Sequence, residues 1–305
     1  MKRRALHLAL MASLLGALCV WAVVLSMGPR LRARKASNRL VERAQELAGE
    51  GNRWASRQLV DQALALDQSN PRARRELAMH LRAEGRREAA LAELKRVAVA
   101  QPTDSGAARE LAALLSVMGD GEGAIHWLRE AVKREPKNGL AYVDLARCLM
   151  EAGEVADGLR AAEEAVLLSP RLRSAQLVLG WARWRSGDLS GARAALDEAL
   201  RLRRNDVDAL LAAAAVSSEL GLGDSALGYA RRAVAADPQR ARTWLVLAGV
   251  LAATGRTAEA HDALARARSL EPTDPLPPGS TGVNGGRQHI EPPDDQETRY
   301  NLPRS

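Results

Sequence analysis

Residues 139–172 read GLAYVDLARCLMEAGEVADGLRAAEEAVLLSPRL. Two apolar-periodic runs, Ala141–Met150 and Val155–Leu168, flank Gly153, and the stretch closes on Pro170. Apolar residues recurring every three to four positions mark the buried face of an amphipathic helix, so the segment predicts two helices joined by a tight turn. The glycine supplies the left-handed residue that ends the first helix. The proline ends the second, because it cannot continue a helical hydrogen-bond ladder.

The pattern extends in both directions with a fixed period. Gly51, Gly85, Gly119, Gly153, Gly187, Gly221 and Gly255 are each 34 residues apart. Pro102, Pro136, Pro170, Pro238 and Pro272 form a second comb, with Gln68 and Arg204 filling its gaps. A third comb of small residues runs Ser56, Ala90, Ala124, Gly158, Ala192, Ala226 and Ala260, and a fourth runs Ala63, Val97, Ala131, Ala165, Ala199, Ala233 and Ala267. Small residues let paired helices approach closely, where a large one would hold them apart. Leu77, Leu111, Leu145, Leu179 and Leu247 repeat at one phase of the first helix and are expected to form a shared core. An acidic residue after the turn glycine, as in Gly187-Asp188, suits the start of the next helix. The chain therefore predicts an all-α stack of seven helical hairpins: 37–70, 71–104, 105–138, 139–172, 173–206, 207–240 and 241–274.

These residues resemble the tetratricopeptide repeat family. Its order of aromatic, Leu, small and Pro positions is matched by Trp244, Leu247, Ala248, Leu251, Ala260, Leu264, Ala267 and Pro272. Another unit supplies Tyr142, Leu145, Ala146, Leu149, Gly158, Ala165 and Pro170. The resemblance covers roughly residues 37–274 and implies a right-handed α-solenoid. The late aromatic of the family is Leu or Ala in most units, which alters core packing. The first repeat departs most, with Arg43 at the phase where other units carry Leu. Terminal repeats of a solenoid are commonly atypical because one face lacks a neighbouring repeat. From Pro275 the tail 275–305 is rich in Pro and Gly and lacks apolar periodicity, so it is expected to be disordered.

The N-terminus has a different character. Ala5 to Met27 carries no charge and is dominated by Leu, Ala and Val. At ~1.5 Å per residue a helix of that length crosses a hydrocarbon core of ~30 Å, so the stretch reads as one transmembrane signal anchor. A cleaved signal peptide would have a shorter apolar run, and apolar residues continue past Val20-Trp21-Ala22, a weak cleavage site. Lys2, Arg3 and Arg4 form a basic tip before it, and Arg30, Arg32, Arg34 and Lys35 lie in a linker, 28–36, expected to rest against anionic headgroups. Charge counting alone slightly favours a cytoplasmic repeat domain. The Met-Lys-Arg-Arg start points the other way, to a retained leader with the repeats outside the cytoplasm.

Charge composition removes one class of function. The chain of 305 residues has 44 basic and 37 acidic side chains, a formal net charge of +7. Residues 1–39 hold eight of the bases and no acid, which leaves 36 against 37 in the remainder. The repeat block is therefore neutral, and bulk charge gives no reason to expect nucleic-acid binding. Two cysteines, Cys19 and Cys148, build neither a disulfide framework nor a four-ligand zinc site. His7, His80, His126, His261 and His289 show no metal-ligand spacing, and adjacent Glu163 and Glu164 face different directions on a helix. No enzyme activity, cofactor, metal or small-molecule substrate is expected.

In the resembled family the first helices line a concave groove that grips peptides. Carried onto this sequence, that geometry places Arg72, Arg75, Met79 and Arg82 in the groove from the second repeat, and Arg109 and Ser116 from the third. The fourth gives Val143, Arg147 and Met150; the fifth gives Leu177, Trp181, Trp184 and Arg185. Repeats six and seven are smooth, with Ala215, Ser218, Gly249 and Ala252. Arg and Trp dominate binding hot spots, so the expected ligand is an acidic, partly apolar segment of a partner protein. Alternatively the arginines are solvated and the tryptophans pack between repeats. Asparagines that clamp chaperone tails in the family are replaced at that phase by Met79, Ala113 and Arg147, so that ligand is not implied.

The expected function is a non-catalytic scaffold or assembly factor held at a membrane. The Arg- and Ala-rich composition suggests a bacterium, where the resemblance points to cell-envelope biogenesis with the repeats in the periplasm. An accessory subunit of a membrane-associated enzyme complex and an RNA-binding helical-repeat protein remain the alternatives.

Overall fold

The computed structural model describes residues 28–270, all of whose regular elements are helices. The predicted anchor 5–27 and the tail 275–305 lie outside the described residues. Helix α1 covers residues 28–49. It is followed by α2 (Arg53–Leu66), α3 (Pro71–Ala83), α4 (Arg87–Ala100), α5 (Ser105–Val117), α6 (Gly121–Arg134) and α7 (Gly139–Glu151). The rest are α8 (Val155–Leu168), α9 (Arg173–Ser186), α10 (Leu189–Leu202), α11 (Val207–Glu219), α12 (Gly223–Ala236), α13 (Ala241–Ala253) and α14 (Thr257–Leu270). Odd-numbered helices are the first of each hairpin and even-numbered ones the second.

The chain divides into two compact units between Leu114 and Leu115, within α5. In the first unit α3 packs on α2 and α4. Ser37 on α1 donates to the Ala63 carbonyl at 2.7 Å and accepts from Asn70 Nδ2 at 2.7 Å, fixing α1 against α2 and the start of α3. In the second unit each helix from α6 to α14 packs on the next, and first helices also touch across repeats, α7 with α9 and α9 with α11 and α11 with α13.

The seven comb glycines are the described residues with positive φ, between 74° and 92°. Each turn needs that left-handed residue, which a Cβ would oppose. Asn52, Asp120 and Asp188 then cap the second helix, their carboxyl or amide oxygens accepting from Ala55, Gly123 and Gly191 at 2.8–3.1 Å. Each such cap stabilises by roughly 1 kcal/mol. Glu154, in the same place, makes no side-chain cap.

The small columns are buried where the helices meet. Ala90, Ala124, Ala192 and Ala226 have no exposed surface, and neither do Ala63, Ala131, Ala165, Ala199 and Ala233. At Gly158 a Cβ would stand 2.6 Å from Met150 Sδ, so the methionine fills the space the glycine leaves.

The structure corrects three expectations. Residues 28–36, read as a linker, are helical and continue into α1. Gly28-Pro29 therefore lies within helical backbone among the described residues. Leu77 is only half-buried, whereas Leu111, Leu145, Leu179 and Leu247 lie in the core. Proline does not set where the second helices stop: α2 and α10 end at the same phase although Gln68 and Arg204 replace it. Their caps, Asp67 and Arg203, are extended, and Asn70 and Asp206 start the following helices three residues later.

Candidate protein-binding face

In the first unit the anticipated groove residues of α3 divide into an exposed set and a held one. Arg72, Met79 and Arg82 are exposed, and their spacing of seven and three places them on one helical stripe. Met79 shows 47% of its surface. Arg72 stands 3.6 Å from Glu42 on α1, a loose exposed pair. Such a pair contributes little and leaves the guanidinium available for a better-placed carboxylate.

Arg75 sits deeper. Its Nη2 donates to Asp104, which precedes α5, and its Nε stands 3.4 Å from Glu110 on α5. Asp104 also accepts from the Ala107 backbone amide at 3.2 Å, capping that helix. Burial raises the Glu110 carboxyl above the usual range against the opposing pull of Arg75. Glu76 beside it is buried and accepts from Gln45 Nε2 at 2.5 Å. Arg75 is thus a tie between repeats. Arg109 and Ser116 are half-buried.

In the second unit the side chains expected to be aromatic contacts are structural. Trp181 is 2% exposed, with the Arg185 guanidinium 5.7 Å from its ring centre. Trp184 is 1% exposed, and its Nε1 donates to Glu219 on α11 at 2.9 Å. Met150 is fully buried, as are Val143 and Leu177. Helix α9 packs against α7, α8, α10 and α11, so most of its side chains are buried against a neighbouring helix. Arg147 stands 3.4 Å from Asp144 on its own helix and is half-buried, as is Arg185. Gly249 and Ala252 are exposed and Ala215 and Ser218 half-buried, so α11 and α13 offer a smooth face.

The arginines pairing across repeats include one that periodicity does not mark. Arg173, which opens α9, meets Asp206 at 2.7 Å, and both are nearly buried. Their spacing of almost one repeat is the signal available in the sequence. Arg240 meets Asp208 in a similar way at 2.9 Å.

Residues that chemistry would need are placed in packing roles. Cys148 is buried, and desolvation pushes its thiol up to about 12. His80 Nε2 lies 3.0 Å from Ser56 Oγ. Burial, with help from Arg57, lowers the pKa of its imidazole. Among the described residues no group of three or more His, Cys, Asp or Glu is placed to hold a metal ion. Among them, too, no helix is long and apolar enough to cross a membrane.

Two models described as tetratricopeptide repeat match the chain, one over residues 118–171 and 219–276, the other over 41–105 and 177–241. Among solved structures, a tetratricopeptide repeat protein from Parabacteroides merdae is 12% identical with a TM-score of 0.63, covering 77% of this chain and 93% of that one. The Pseudomonas aeruginosa protein pilF is 20% identical with a TM-score of 0.56, over 68% and 94%. The Thermus thermophilus protein TTC0263 is 24% identical with a TM-score of 0.50, over 56% and 93%. At these identities the likeness is one of fold. No curated protein sequence matches this chain.

Proposed function

Because the chain belongs to the tetratricopeptide-repeat family, whose domains are generally protein-interaction scaffolds, we propose that it is a non-catalytic assembly factor that binds an acidic, partly apolar segment of a partner protein. The observation that carries this reading is the exposed stripe of α3, where Met79 lies between Arg72 and Arg82. A thioether is a soft, adaptable apolar contact. Flanking guanidinium groups recognise carboxylates through paired hydrogen bonds. The ligand thus combines acidic side chains with at least one apolar anchor.

The proposed place of action is the membrane, through the uncharged stretch Ala5 to Met27, with Arg30, Arg32, Arg34 and Lys35 close to anionic headgroups. The repeats would then stand in the bacterial periplasm and serve envelope assembly. Reporters active only inside or only outside the cytoplasm, fused after Ser305, test the orientation.

The binding reading is tested with full-length protein on an array of synthetic peptides that vary acidity and apolar content independently. Acidic peptides bearing Leu or Met are expected to be retained. Arg72→Glu, Met79→Ala and Arg82→Glu together should weaken that retention by about tenfold or more, equivalent to roughly 1.4 kcal/mol, with helicity unchanged. Equal retention of basic peptides, or no loss in the triple variant, would refute the reading. Trp181→Ala and Trp184→Ala are unsuitable for this purpose, because both side chains are buried.

A further inference from the structure

A cleft of about 520 Å³ lies between α10 and α12, the second helices of neighbouring repeats in the second unit. Arg201, Arg204, Asn205, Tyr229, Arg232 and Asp197 line it. Three cations thus face one carboxylate, which is already engaged. Asp197 accepts the Tyr229 hydroxyl at 2.5 Å and lies 3.7 Å from Arg193 outside the lining. Arg232 donates through Nη2 to the Arg204 carbonyl at 2.7 Å, which fixes its guanidinium beside the Tyr229 ring, 5.8 Å from the ring centre. Arg201 is held by Glu198 through two hydrogen bonds of 2.6 and 2.7 Å. The Arg204 side chain has no carboxylate partner among the described residues, and it occupies a position where five of the seven repeats carry proline. Held guanidinium groups with spare donors form a site for a carboxylate-rich ligand, since little freedom is lost on binding.

The chain carries such a ligand. Residues 291–297 read EPPDDQE, four carboxylates without a base. Reach is sufficient. Leu270, the last residue of α14, is two 34-residue periods after Leu202, the last of α10. At about one helix diameter of ~10–12 Å per repeat the two ends are separated by roughly 20–24 Å. The twenty residues 271–290 reach at most ~66–72 Å at ~3.3–3.6 Å each, well beyond that separation. Tethering makes the contact intramolecular, which raises the effective concentration of the segment at the cleft.

We propose that the α10–α12 cleft binds the acidic segment Glu291–Glu297 of its own chain. The α3 stripe belongs to first helices, so each proposal stands if the other fails.

Spin labels at Gly228→Cys and Gln296→Cys, in full-length protein with Cys19→Ser, test the contact. Gly228 is exposed and a Cβ there meets nothing within 4 Å; Cys148 is buried and stays unlabelled. A narrow, short distance population is expected. It should be lost in the double variant Arg204→Glu with Arg232→Glu while helicity is retained. Adding Asp294→Lys and Asp295→Lys to that variant should restore it. A broad distribution in the parent, or a narrow one indifferent to Arg204 and Arg232, overturns the proposal. So does loss of the short population on dilution with unlabelled protein, which would assign the contact to a second copy. Transfer of the effect to glutamate variants of Arg30, Arg32 and Arg34 overturns it as well.

Discussion

Trp184 and Glu110 show how single side chains tie repeats together. The indole of Trp184 fills the interior and reaches Glu219 with its one donor. Trp184→Ala should destabilise by ~3–5 kcal/mol through the cavity it leaves. Trp184→Phe keeps most of the ring and loses the hydrogen bond, for about 1 kcal/mol plus a small packing loss. Urea midpoints of the two variants check the order. Glu110 titrates above its unfolded value of 4.5, so between that value and its folded pKa the folded chain binds more protons than the unfolded one. Stability contributed by its protonated form falls as pH rises through that window. Glu110→Gln is therefore expected to raise the midpoint at pH 7 and remove this slope. His80 has the opposite effect on the acid side. Its imidazole titrates below 6.5, so the unfolded chain takes up the extra proton first and stability falls as pH drops through that window. His80→Gln should flatten this branch in the same urea series. The resemblance to the repeat family assigned Trp181 and Trp184 to a binding groove. How deeply they sit was not legible in the sequence, because burial on α9 is decided by α7 and α11, each a full repeat away.

At the scale of the helical hairpin, turn and cap act on separate terms. Gly187 has φ 92°, and a Cβ there would meet nothing within 4 Å. Gly187→Ala consequently costs only backbone strain, ~1–2 kcal/mol for one left-handed residue. Asp188→Ala removes the hydrogen bond to Gly191 and costs about 1 kcal/mol. Thermal unfolding of each variant measures both losses. The turns were readable because a positive φ admits almost one residue type, which leaves an unbroken comb of glycine. The caps at the first helices were not. Asn70, Asp104, Asn138 and Asp206 all accept backbone amides, yet two residue types satisfy the same need and Leu172 and Arg240 interrupt the series. Arg173–Asp206 escaped for a related reason: an ion pair one repeat long leaves no trace in periodicity.

Across the whole molecule, stability is a sum over repeats and the surfaces between neighbours. Helix α9 is enclosed by neighbours on both sides, whereas α14, the last described helix, packs chiefly on α13 and reaches α12 through Arg231 and Glu259 at 3.9 Å. Amide exchange is expected to be faster in α14 than in α9 and α10 by orders of magnitude. Equal protection along the second unit would mean that it opens as one block. The early basic residues have a further consequence. Residues 28–36 form a rigid rod continuous with α1, about 13 Å long at ~1.5 Å per residue, where a free strand would reach ~30 Å. A rod transmits rotation. Each residue inserted near Ala33 would swing everything beyond it by ~100° about the helix axis, and a fourth would carry it ~40° past a full circle. If the uncharged stretch holds one end of that rod, partner capture should rise and fall with insert length at a period near four residues, as a key turns in and out of its lock.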